Sequence, residues 1–92
     1  MIGFAECEFM IHNTHSLKEK RAVLQRTLTR LKQKANVSVA EVGFQDLWQR
    51  TQIAIVTVAS SQKAAERELQ HALHFLDSFP EWERTTTKTE WL

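Results

Sequence analysis

Between Val37 and Ala59 the chain reads VSVAEVGFQDLWQRTQIAIVTVA, and the folding of this stretch decides the architecture of the whole protein. Val37 to Phe44 and Leu47 to Ala59 are both rich in β-branched and aromatic residues, and Gly43-Phe44-Gln45-Asp46 supplies the turn between them. The pattern predicts a β-hairpin. In its second arm Ile53 and Ile55 alternate with Ala54, Val56 and Val58, so that strand is apolar on both faces.

Upstream of the hairpin, Ser16 followed three residues later by Glu19 has the capping-box spacing, which satisfies free amide donors at a helix start. Leu17, Leu24, Leu28, Leu31 and Ala35 then fall on one arc at the helical period, and Asn36, which tolerates a left-handed backbone, provides the stop. Before that helix, His12-Asn13-Thr14-His15 is a polar break. It follows an alternating stretch, Ile2 to Ile11, with Ala5, Cys7, Phe9 and Ile11 on one side and Phe4, Glu6, Glu8 and Met10 on the other. This predicts a strand with one buried face.

Downstream, Ser60-Ser61 opens a second helix with Ala65, Leu69, Ala72, Leu73 and Leu76 as its apolar stripe, ending near Phe79-Pro80 because proline cannot continue it. Trp82 to Trp91 carries four threonines and polar residues on both faces, which predicts an edge strand.

The order is therefore β-α-β-β-α-β. Right-handed crossovers turn two such units into an α+β ferredoxin-like domain, a four-stranded antiparallel sheet with two helices on one face. At 92 residues there is room for one core, so residues 1–92 are expected to form a single domain. The lone cysteine, Cys7, permits no disulfide within the chain and fits a reducing compartment. Residues 1–15 carry Glu6 and Glu8 in place of a basic signal segment, and no apolar run approaches membrane-spanning length. A cytoplasmic location is expected.

Charge is distributed unevenly. Between Ser16 and Lys34 seven cations (Lys18, Lys20, Arg21, Arg26, Arg30, Lys32, Lys34) face Glu19 alone, which puts that segment at +6 and the remainder at −5 against +1 for the whole chain. A segregated positive helix raises the local potential for polyanions. The expected fold also brings the end of the first strand, the start of the first helix and the hairpin turn to the same end of the sheet. His15, Lys18, Lys20 and Arg21 arrive there from one segment; Gln45, Asp46, Trp48 and Arg50 arrive from the other. A helix start presents free amide donors and a partial positive charge, so phosphate or carboxylate is favoured beside it, and an RNA backbone is the natural occupant. Arg26, Arg30 and Lys34 extend the same surface along the helix.

Other readings of these residues compete. Trp48 either stacks on a base or an apolar partner surface, or plugs the end of the core. Asp46 is placed to pair with Arg50 or Lys18 and so pin the hairpin to the helix start. Ser16 is explained by capping, and His12 with His15 and Asp46 falls short of a zinc ligand set, so neither a catalytic residue nor a metal or cofactor is expected. The third strand lacks the aromatics that stack bases on the sheet of RNA-recognition domains, so RNA contact is expected on the helix and loops. The open sheet face, apolar in part, is the expected surface for a homodimer.

The stretches His15-Ser-Leu-Lys-Glu-Lys-Arg21, Asn36-Val-Ser-Val-Ala-Glu-Val42 and Gln45-Asp-Leu-Trp-Gln-Arg50 resemble the YlxP-like family of small bacterial proteins, over almost the entire chain. The resemblance implies a ferredoxin-like fold, a bacterial origin and a link to ribosome assembly or RNA, because the family is known chiefly from genes beside those for translation initiation and ribosome maturation factors. It supplies no catalytic residue. The expectation is a non-enzymatic binding protein that assists ribosome maturation or translation. Two alternatives are a small phosphate-handling hydrolase using Lys18, Arg21, Asp46 and His15, and a dimeric scaffold or ligand-sensing module.

Overall fold

A computed structural model describes residues 1–92, in six elements: β1 (Ile2–Ile11), α1 (Leu17–Lys34), β2 (Ser38–Gly43), β3 (Arg50–Val58), α2 (Gln62–Asp77) and β4 (Trp82–Trp91). The strands form one sheet in the order β2-β3-β1-β4, every neighbouring pair antiparallel. This is the α+β ferredoxin-like topology that the sequence predicts. Period-two alternation decides which face is covered. Ala5, Cys7, Phe9 and Ile11 of β1 and Thr51, Ile53, Ile55 and Thr57 of β3 are buried beneath the helices, while the residues between them stay partly exposed on the open face. The buried apolar cluster draws on all six elements, with Leu24 and Leu31 from α1, Val39 from β2, Leu69, Ala72 and Leu76 from α2, and Trp82 from β4.

Both helices start on serine caps. The Ser16 hydroxyl accepts from the Glu19 N–H at 3.1 Å, and the Glu19 carboxylate accepts from the His15 N–H at 2.9 Å, one residue earlier than the reciprocal partner of a capping box. Ser61 accepts from the Ala64 N–H at 3.1 Å.

The end of α1 differs from expectation. The helix stops at Lys34 with Ala35 extended (φ −136°), and no left-handed residue closes it. Asn36 instead donates its backbone N–H to Glu68 at 2.7 Å and accepts from the Thr57 hydroxyl at 2.6 Å, so contacts to α2 and β3 hold the exit. The left-handed residues are Asn13, in the β1–α1 turn, and Phe44.

The hairpin differs too. Its strands stop short of the predicted bounds, leaving residues 44–49 as a loop, because Phe44 (φ 56°) leaves the ladder just after a register shift between Glu41 and Gly43. At the far edge, β4 is exposed along its length except for Trp82 and Trp91 at its ends. Trp82 packs edge-on against Phe9 with ring centroids 5.0 Å apart. No helix is long and apolar enough to cross a membrane.

Candidate functional site

The end of β1, the start of α1 and the loop 44–49 meet at one rim. The Ile11 N–H donates to the Gln49 carbonyl at 2.8 Å, and the Thr14 hydroxyl donates to the Trp48 carbonyl at 2.7 Å. His15 and Trp48, thirty-three residues apart in sequence, stand with ring centroids 6.0 Å apart.

Lys20 is the main correction among the residues expected to bind a partner. Its side chain is fully buried, with an exposure of 0%, and cannot reach a ligand from solvent. The ammonium donates to the Phe44 carbonyl at 2.7 Å and to the Leu47 carbonyl at 2.6 Å, and it pairs with the Glu41 carboxylate at 2.8 Å. Glu41 in turn accepts from the Thr51 hydroxyl at 2.7 Å. A buried ammonium must have its donors met and its charge balanced, and this arrangement does both while gripping the loop by two carbonyls. The lysine therefore holds the loop's shape from beneath.

The loop held in this way turns large side chains outward. Trp48 is 39% exposed and Leu47 is also exposed, so Trp48 does not plug the core; the tryptophan that closes this end is Trp82. Gln45 donates to the Glu41 carbonyl at 3.2 Å, a contact within the turn. Asp46 is exposed and forms an ion pair with neither Arg50 nor Lys18. Arg50 pairs instead with Glu8 on β1 at 3.0 Å and lays its guanidinium 4.1 Å from the centroid of the Phe44 ring. His12 Nε2 lies 2.8 Å from the Glu83 carboxylate on β4. No three His, Cys, Asp or Glu side chains gather as a metal site would require.

On α1 the other six cations, Lys18, Arg21, Arg26, Arg30, Lys32 and Lys34, are exposed and take part in no ion pair. Arg26, Arg30 and Lys34 recur every four residues and so form one row; Lys18, Arg21 and Lys32 lie on the opposite flank of the exposed surface. At 1.5 Å per residue Lys18 and Lys34 are about 24 Å apart along the axis, so the cations make a track that leads away from the rim. The row is braced against α2. The Arg30 guanidinium sits 5.7 Å from the Phe75 centroid and 5.5 Å from that of Phe79, and Lys34 sits 6.0 Å from Phe75.

Thr14, Glu41, Phe44, Phe75 and Phe79 also shape the site, and none of them is among the binding residues expected from the sequence. A signal existed for Glu41, which alternates with Val37 and Val39 on the inward side of β2 and so places a carboxylate where a core residue belongs.

The β-α-β-β-α-β order, with its four-stranded antiparallel sheet, defines a small α+β protein of ferredoxin-like topology, here with a clamped rim loop and a cationic helix. By sequence it belongs to the family described as proteins of unknown function (DUF503), whose model matches residues 2–89. The chain is 62% identical over 91 residues to the uncharacterised protein YlxP of Bacillus subtilis (strain 168), with 99% of each chain covered.

Proposed function

We propose that this protein is a non-enzymatic RNA-binding module that works in ribosome maturation or translation, the setting that the family resemblance implies. The observation that carries the reading is the set of six exposed α1 cations without a carboxylate partner, on a chain whose overall charge is only +1. Unpaired cations strung over about 24 Å suit a polymer with regularly spaced phosphates better than a small phosphate ester, which needs its cations convergent. At one end of the track the preformed loop offers Trp48 as a stacking surface for an unpaired base.

Tagged protein recovered from bacterial lysate provides the test. The reading expects ribosomal RNA fragments or ribosomal particles to co-purify at low salt and to be lost after ribonuclease treatment. Recovery of the same partners with and without ribonuclease, or of no nucleic acid at either salt, would remove it.

A further inference from the structure

The sheet face turned away from the helices is uneven along the strands. At the end remote from the rim, Ile2 lies beside Val58 and Phe4 beside Val56, with Leu92 at the margin. Val58 is 62% exposed, Ile2 and Leu92 are also exposed, and Phe4 and Val56 are partly so. Towards the rim the same face is polar, and its groups are met by one another. Gln52 donates to Glu6 at 2.7 Å, Arg50 to Glu8 at 3.0 Å and Thr86 to Glu8 at 2.9 Å.

We propose that this face is the contact between two copies of the chain, related by a two-fold axis that runs along the strands between β1 and β3. Its charge argues for protein over nucleic acid: Glu6, Glu8, Glu83 and Glu90 outnumber Arg50 and Lys88, so the face repels phosphate. Its size is sufficient. Four strands at about 4.8 Å spacing and about nine residues of about 3.3 Å each present roughly 570 Å² per copy. Two copies then bury on the order of 1,100 Å², above the roughly 1,000 Å² that a specific interface needs.

The apolar gradient selects the geometry. Two sheets packed face to face keep their strands within about 30° of each other, which leaves a two-fold axis either along or across the strands. With the axis along them, each row meets the same row of the other copy with β1 and β3 exchanged. Val58 then lies over the partner's Ile2 and Val56 over the partner's Phe4, while Glu8 lies over the partner's Gln52. An axis across the strands would set the apolar end on the Glu8 and Arg50 end and strand charges against hydrocarbon. The favoured arrangement leaves α1 facing outward on both copies and puts both rims at the same end. It rests on the sheet face alone and stands whether or not α1 binds RNA.

Sedimentation equilibrium of the full chain, from about 10 to 200 µM, tests this directly. Wild type is expected at twice the 10.7 kDa of one chain. Val58→Glu, at a site exposed enough to keep its fold by circular dichroism, is expected to weaken the dimer by at least about a hundredfold, since it sets a carboxylate against the partner's apolar row. Leu47→Glu, at the rim, is expected to leave the dimer intact. A wild-type mass of one chain throughout the range, or a dimer that survives Val58→Glu, would overturn the proposal.

Discussion

Lys20 and Glu41 form an ion pair of 2.8 Å under the rim loop, with the lysine side chain fully buried and the glutamate side chain only 16% exposed. Removing one partner of a buried pair leaves an uncompensated charge and typically costs about 3–5 kcal/mol. Lys20→Met is therefore expected to lower the melting temperature by at least about 12 °C, given roughly 4–8 °C per kcal/mol in a domain of this size. Adding Glu41→Leu should restore a substantial part of that loss, because no charge is then stranded. Thermal melts of both variants check this, and a Lys20→Met protein as stable as wild type would contradict the clamp.

The Cys7 thiol lies in the core, and burial pushes its pKa from the usual 9.0 up to about 12. The unfolded chain therefore loses this proton first, and between pH 9 and 12 it binds fewer protons than the folded protein. Stability from this group is complete below pH 9 and declines as pH rises, with the unfolding equilibrium constant growing about tenfold per pH unit over that window. Denaturant unfolding of wild type and Cys7→Ala across pH 8.5–11 measures the difference. Parallel pH profiles for the two proteins would contradict the assignment.

Trp48 contributes its backbone carbonyl to the rim and its ring to solvent. Trp48→Ala keeps the carbonyl, so stability is expected to change by less than about 1 kcal/mol. Affinity for single-stranded RNA should nevertheless fall by about 5- to 150-fold, the range for loss of one stacked base. Equal affinity of the two proteins, by fluorescence anisotropy, would remove Trp48 from the binding surface.

The fold was legible because its signals are local and agree with one another. The alternation of Ile2–Ile11, the Ser16 and Ser61 caps and the hairpin composition each specify one element, and their order leaves few topologies. Lys20 shows what the composition of a basic helix conceals. It sits four residues before Leu24 and eleven before Leu31, on the buried stripe, and Glu41 sits on the inward side of β2. Each charge at a core position is a local exception, and their compatibility emerges only when α1 lies across β2. The loop's length was hidden for a similar reason. Leu47, Trp48 and Gln49 have strand-like composition, and it is Phe44's left-handed backbone with the Lys20 contacts that keeps them out of the ladder.

Phosphate binding by the α1 track, as proposed, is measured most directly by the salt dependence of RNA binding. Each phosphate neutralised on a single strand contributes about −0.7 to the slope of log K against log salt concentration. Replacing Arg26, Arg30 and Lys34 together by Glu should make that slope shallower by about 2 and weaken binding at low salt. Replacing Lys63, Arg67 and Lys88 by Glu, an equal change in net charge placed on α2 and β4, should leave the slope near that of wild type. Identical slopes for wild type and the α1 variant, or equal losses in both variants, would contradict the account.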